Sequence, residues 1–202
     1  MTEYARGLQG VIANESSLSN VIGDIGELSY VGHHIDDLVA HCCYEEIIYL
    51  LHNNRLPSKA ELVAFEKELR AERELPTPVI DFLKNAPKDA SPMDILRTAV
   101  SMLGMYDHRA KIGDPDIAAN SAIALSLCAK SATIVAAYHR FRNDLELPTI
   151  REDLSEAEHF LYLITGEVPS DTASRVLDVA LILHADHGMN ASTFSARVTI
   201  ST

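Results

Sequence analysis

Residue types able to do chemistry are concentrated in the stretch 170–202. His184 and His187 stand three apart at the far end of an apolar run, and Gly188, Asn190, Ser192 and Arg197 follow closely. Imidazoles at that spacing lie one helical turn apart and can serve buried structure, a ligand or a metal ion, although no third metal ligand is evident. Asp186 lies between them and could orient His187 or a neighbouring backbone group, but adjacent residues on a helix do not face one another, so it is not read as the catalytic base. Polar side chains and free backbone N–H groups converging at a helix end and a helix start suit a small anionic ligand.

Two helices must hold that turn. Ser170 can cap the first, with Ala173, Val176, Leu177, Ala180 and Leu181 as its buried stripe. Gly188 can supply the positive φ that stops it, and Asn190 or Ser192 can cap a second helix through Thr193, Phe194 and Arg197. Val198, Ile200, Ser201 and Thr202 read as a helix still in progress, so the sequence is expected to be part of a longer protein.

The chain has 202 residues, 47% of them hydrophobic, enough for one substantial core. A net charge of -12 argues against nucleic acid or an anionic membrane as a partner, while leaving room for a locally basic pocket. Cys42, Cys43 and Cys128 have no metal-binding or redox spacing, which fits a reducing cytoplasm. No window is read as long enough to cross a bilayer. With no tryptophan and 6% aromatics, packing must rely on aliphatic helix faces.

Residues 1–32 form a small β-containing segment: Gly7, Gly10, Gly23 and Gly26 punctuate strands expected at 8–13 and 27–30, around a polar turn with Ser16, Ser17, Ser19 and Asn20. Residues 33–202 read as a helical domain, incomplete at its C-terminus, with seven to nine helices and no βαβ alternation, so the fold class is all-α. Helix starts are written at Ser58-Lys59-Ala60-Glu61, Ser91-Pro92-Met93-Asp94 and Ser155-Glu156-Ala157-Glu158. The charged run 66–74 reads as solvated helix surface, and Arg97 is expected to meet a carboxylate elsewhere in the fold. Ile117 to Cys128 and Ile134 to Tyr138 read as a central pair of close-packed helices. Lys130, His139, Arg140 and Arg142 could receive phosphate, while His33, His34 and His41 lack ligand offsets and read as ordinary histidines rather than a metal site.

The stretch His184-Ala185-Asp186-His187-Gly188-Met189-Asn190-Ala191-Ser192-Thr193-Phe194 strongly resembles the citrate synthase family, which includes 2-methylcitrate synthases. Earlier stretches agree in order: Gly7-Leu8-x-Gly10-Val11, Gly26-Glu27-Leu28-x-Tyr30-x-Gly32, Glu45-Glu46-x-x-Tyr49-Leu50-Leu51, Leu56-Pro57 and Ser91-Pro92-Met93-Asp94-x-Leu96-Arg97-Thr98. The resemblance covers the whole chain but corresponds to the N-terminal half of a family member. It implies a multi-helical large domain, a smaller domain closing over it, and a homodimer.

It also implies Claisen-type condensation of acetyl-CoA with oxaloacetate followed by hydrolysis of citryl-CoA to citrate, the thioester being a co-substrate and no cofactor staying bound. On this resemblance His187 and Asn190 are substrate-binding residues, Ser192 matches the same polar turn, and His184 is structural. The catalytic aspartate, the enolate-stabilising histidine, the carbonyl-polarising histidine and the carboxylate-binding arginines fall in segments that these 202 residues lack, so the chain alone is expected to be inactive. Two departures stand out: Gly188 where the family often has glutamate, and Tyr30-Val31-Gly32-His33 where Tyr-Arg-Gly-Tyr is commoner. The competing expectations are 2-methylcitrate synthesis from propionyl-CoA, and a non-catalytic helical fragment that assembles with a separate C-terminal half.

Overall fold

The computed structural model describes residues 15–109, 116–186 and 188–200. The strand expected at 8–13, and the glycines Gly7 and Gly10, lie outside them. Among the described residues a small antiparallel sheet precedes nine helices: β1 (Ser19–Ile22), β2 (Glu27–Tyr30), β3 (His33–His34), α1 (Ile35–His41), α2 (Tyr44–Asn53), α3 (Lys59–Ala71), α4 (Thr77–Asn85), α5 (Pro92–Tyr106), α6 (Ile117–Arg142), α7 (Glu156–Thr165), α8 (Asp171–Leu183) and α9 (Ala191–Ile200). The mostly helical fold with a β segment at its start agrees with the sequence reading, although Ser19 and Asn20 are strand rather than turn, paired with Tyr30 and Ser29.

Local chemistry explains the helix starts. Ser58 accepts from the Glu61 N–H while Glu61 reaches back to the Ser58 N–H, and Ser155 and Glu158 repeat the exchange at α7. α7 stops at Gly166, whose φ of 87° only glycine adopts cheaply.

The expected central pair is instead one helix of 26 residues, α6. It contains neither Gly nor Pro, and its polar interior positions are satisfied: Lys130 donates to Ser126 and Glu72, Ser131 to the Leu127 carbonyl, and Thr133 to the Arg73 carbonyl. By length and composition α6 could cross a bilayer, contrary to the reading from sequence. In this fold it is the central helix, against which α3, α4, α5 and α7 pack.

Three apolar clusters share the interior. Val79, Leu83, Ile95, Leu103, Ile134 and Tyr138 join α4, α5 and α6. Tyr49, Phe65, Leu69 and Leu125 join α2, α3 and α6. Tyr30, Ile35, Leu38, Ile47, Leu50 and Ile182 join the sheet, α1, α2 and α8, and this last cluster lies beneath the histidine-bearing turn.

Candidate functional site at the end of α8

α8 begins at Ser170, which accepts from the Ala173 N–H. Its buried residues are Asp178 and Ile182. The expected stripe is largely wrong: Val176 is 66% exposed, while Leu177, Ala180 and Leu181 are half-buried. Asp178 can face inward because its charge is used. One carboxylate oxygen accepts from the Tyr44 N–H at 2.8 Å, and the other takes Arg175 at 2.6 Å. Arg175 also donates to the Val39 and Cys42 carbonyls. One acid–base pair on α8 thus satisfies the end of α1 and the start of α2, where helix termini leave backbone groups without partners.

The helix ends at Leu183 with His184 as its cap, one turn earlier than a stop at Gly188 would give. His184 is exposed, and its Nδ1 lies 2.6 Å from the Ala180 carbonyl. A carbonyl oxygen only accepts, so Nδ1 is the donor in this contact. Gly188 has the expected positive φ, 84°, and its N–H donates to Asp186. Asn190, not Ser192, caps α9: its side-chain oxygen accepts from the Thr193 N–H at 2.8 Å. Arg197 reaches back to the Met189 sulfur at 3.7 Å. His187 lies outside the described residues, and its neighbours Gly188, Met189 and Asn190 are exposed.

Tyr30 contributes from the sheet. It is completely buried, donates to the Ile182 carbonyl at 2.9 Å and accepts from the Asp186 N–H at 3.4 Å. Burial pushes its hydroxyl pKa up, so the proton needed for the first bond stays in place.

Behind α8, a polar node joins α2, α3, α6 and α7. Arg73 is fully buried rather than part of a solvated face, because α3 ends at Ala71 and the chain turns inward. Its guanidinium donates to Glu156 at 2.6 and 3.0 Å and to the carbonyls of Arg151 and Leu154. Glu45, 2% exposed, accepts from the Glu156 N–H at 2.7 Å; burial pushes its carboxyl pKa up.

Several residues singled out by type do not converge. Arg140 is spent on the Glu146 and Ile164 carbonyls, Arg142 stacks over Tyr138, and Lys130 pairs with Glu72. No phosphate cradle forms from them. Arg97 pairs with Asp94 in its own helix, exposed, instead of with a distant acid. His34 accepts from the Asp36 N–H and caps α1, and no metal-binding cluster occurs among the described residues. A concavity of about 630 Å³ between α5 and α6, lined by Leu103, Tyr106, Arg109, Leu127 and Lys130 among others, takes no residue from the α8–α9 turn.

The sequence signalled the cap at Asn190 and the glycine at 188. It gave little sign of Arg175, Asp178, Arg73 or Glu156, whose roles depend on distant partners; the one clue was an acid, Asp178, set between Leu177 and Val179.

The chain is similar to known proteins along almost its whole length. Residues 7–202 match the family model described as citrate synthase, C-terminal domain. The chain is 46% identical to the citrate synthase of Haloferax volcanii over 202 residues, covering 99% of this chain and 53% of that one. It is 38% identical to a 2-methylcitrate synthase of Mycobacterium tuberculosis over 200 residues, covering 99% and 50%. The crystal structure of citrate synthase from Pyrobaculum aerophilum superposes with a TM-score of 0.90 at 37% identity, covering 97% of this chain and 50% of that one. A ternary complex of carboxymethyl coenzyme A and oxaloacetate with the citrate synthase of Thermoplasma acidophilum gives 0.87 at 25% identity, covering 98% and 52%. The chain spans about half the length of the curated relatives it matches.

Proposed function

The chain belongs to the citrate synthase family, and from that premise we propose that it supplies the keto-acid wall of a citrate synthase corresponding to the N-terminal half of relatives. The reaction is condensation of the acetyl-CoA methyl carbon with the oxaloacetate carbonyl, followed by hydrolysis of the thioester. His187 and Asn190 contact the keto acid, and a donor near that carbonyl favours the charge that develops there. The observation that carries this reading is the exposed polar turn between α8 and α9, where Asn190 and the Gly188 backbone stand free of the core. The resemblance assigns the catalytic aspartate and further histidines to segments that these residues do not include, so this chain binds keto acid without turnover.

The same reading makes the protein a cytoplasmic homodimer with the CoA thioester as co-substrate and no bound cofactor, and divides it at residue 32 into a β segment and the helical domain, although β3 carries the sheet on to His34. Similarity to 2-methylcitrate synthases keeps propionyl-CoA as the alternative acyl donor; one methylene is worth only about 1–3 kcal/mol. A helical assembly fragment is favoured by exposed Val168, Val176 and Leu183.

Calorimetric titration with oxaloacetate and thiol release from acetyl-CoA and propionyl-CoA test these readings. Oxaloacetate binding that weakens at least tenfold in His187→Ala is expected. CoA release is expected only when the C-terminal half of a relative is added, and faster with acetyl-CoA. No binding by the wild-type chain overturns the keto-acid wall; a strong propionyl preference reverses the order of substrates. Light scattering showing a well-behaved monomer with no partner counts against the assembly fragment.

A further inference from the structure

We propose that Tyr30 is a positioning residue for the ligand-facing turn, its hydroxyl tying the end of α8 to the backbone of Asp186 and so setting where Gly188 and Asn190 stand. The inference rests on the reading of that turn as a keto-acid contact.

The tyrosine is itself held firmly. It is the last residue of β2 and pairs with His33 across a two-residue turn, Val31-Gly32, in which both residues have positive φ. The Val31 N–H donates to the Leu18 carbonyl at 2.8 Å, which fixes the turn to the N-terminal side of the sheet. The ring is fully buried with Ile35, Leu38, Ile47, Leu50 and Ile182, so its hydroxyl has little freedom to move.

That hydroxyl does two jobs at once. It donates to the Ile182 carbonyl in the last turn of α8, which also accepts from the Ala185 N–H at 3.3 Å, and it accepts from the Asp186 N–H beyond the helix. Asp186 in turn accepts from the Gly188 N–H at 3.2 Å, and two residues later Asn190 caps α9. The path from sheet to turn is therefore a run of hydrogen bonds: Tyr30 to Ile182 and Asp186, Asp186 to Gly188. His187 is the residue between the two anchored amides in sequence. Phenylalanine at position 30 would keep the packed ring and remove both bonds, leaving Asp186 to drift with the turn.

The test is Tyr30→Phe in the 202-residue chain, read by NMR amide exchange, by the His184 imidazole resonances and by oxaloacetate titration. Exchange at Asp186 and Gly188 should accelerate at least tenfold, while Leu69 and Leu103, in separate clusters, keep their protection. The His184 resonances should shift while those of His52 stay, and the oxaloacetate Kd should rise at least fivefold. Unchanged exchange at both turn amides overturns the inference whether or not ligand binds. Faster exchange with an unchanged Kd overturns the positioning role while leaving the keto-acid reading intact. If the wild-type chain does not bind oxaloacetate, the functional reading fails, and faster exchange in the variant still supports the tie between sheet and turn. Should Tyr30→Phe not fold, Asp186→Ala reads the second half of the path: Gly188 exchange and the Kd should both rise, and an unchanged Gly188 rate overturns the inference.

Discussion

His159 is the residue whose environment fits its chemistry least. It is completely buried on α7, and neither ring nitrogen has a hydrogen-bond partner among the described residues. Burial, reinforced by the Arg73 cation, pushes its pKa down to about 4 from an ordinary 6.5. The sign follows directly: between pH 6.5 and 4 the unfolded chain binds the proton and the folded chain does not, so stability falls as pH falls through that window. Urea denaturation should show this group removing about 2 kcal/mol between pH 7 and 5, and His159→Leu should abolish that part of the slope. Carboxylates give way later: Glu72, against its own burial, is held near 2 by Arg109, Lys130 and Ser126, so its contribution is lost only as pH drops from about 4.5 toward 2. Nothing in the Glu156-Ala157-Glu158-His159 sequence distinguishes His159 from a surface residue, because its burial is created by the neighbours of α7. Asn190 was legible, since a cap bonds within three residues of itself.

At the scale of elements, the same contrast recurs. The starts of α3 and α7 were readable because the groups that satisfy them lie on the same short stretch. The face of α8 was not, since burial of Asp178 in preference to Val176 depends on the Tyr44 N–H, distant in sequence. The β2–β3 turn adds a different lesson. Val31 adopts a φ of 49°, a region costly for a β-branched side chain, at a position where the commoner family pattern has arginine. Val31→Asn should therefore raise stability by about 0.5–1 kcal/mol, and its Tm by a few degrees, with the sheet unchanged. A lower Tm would mean that valine's contact with the apolar cluster outweighs the strain.

Across the whole molecule, Arg73 and Glu156 join the end of α3 to the start of α7 through a buried ion pair. Arg73→Met should cost about 3–5 kcal/mol, because it leaves the Glu156 carboxylate buried without its cation. Adding Glu156→Gln should recover part of that loss, and a double-mutant cycle from denaturant melts measures the coupling. The overall helical architecture could be anticipated from aliphatic periodicity and cap signals, whereas this tie could not, since the run containing Arg73 has the alternating charge of an exposed helix face.

The Arg175–Asp178 pair has a mechanical corollary. A single charged couple grips two neighbouring helices by their backbones, so α8 can neither spin about its axis nor slide by one turn without releasing both. The tip of α8 is accordingly a fixed post, and the freedom left between it and α9 lies beyond Leu183, where Gly188 takes its positive φ.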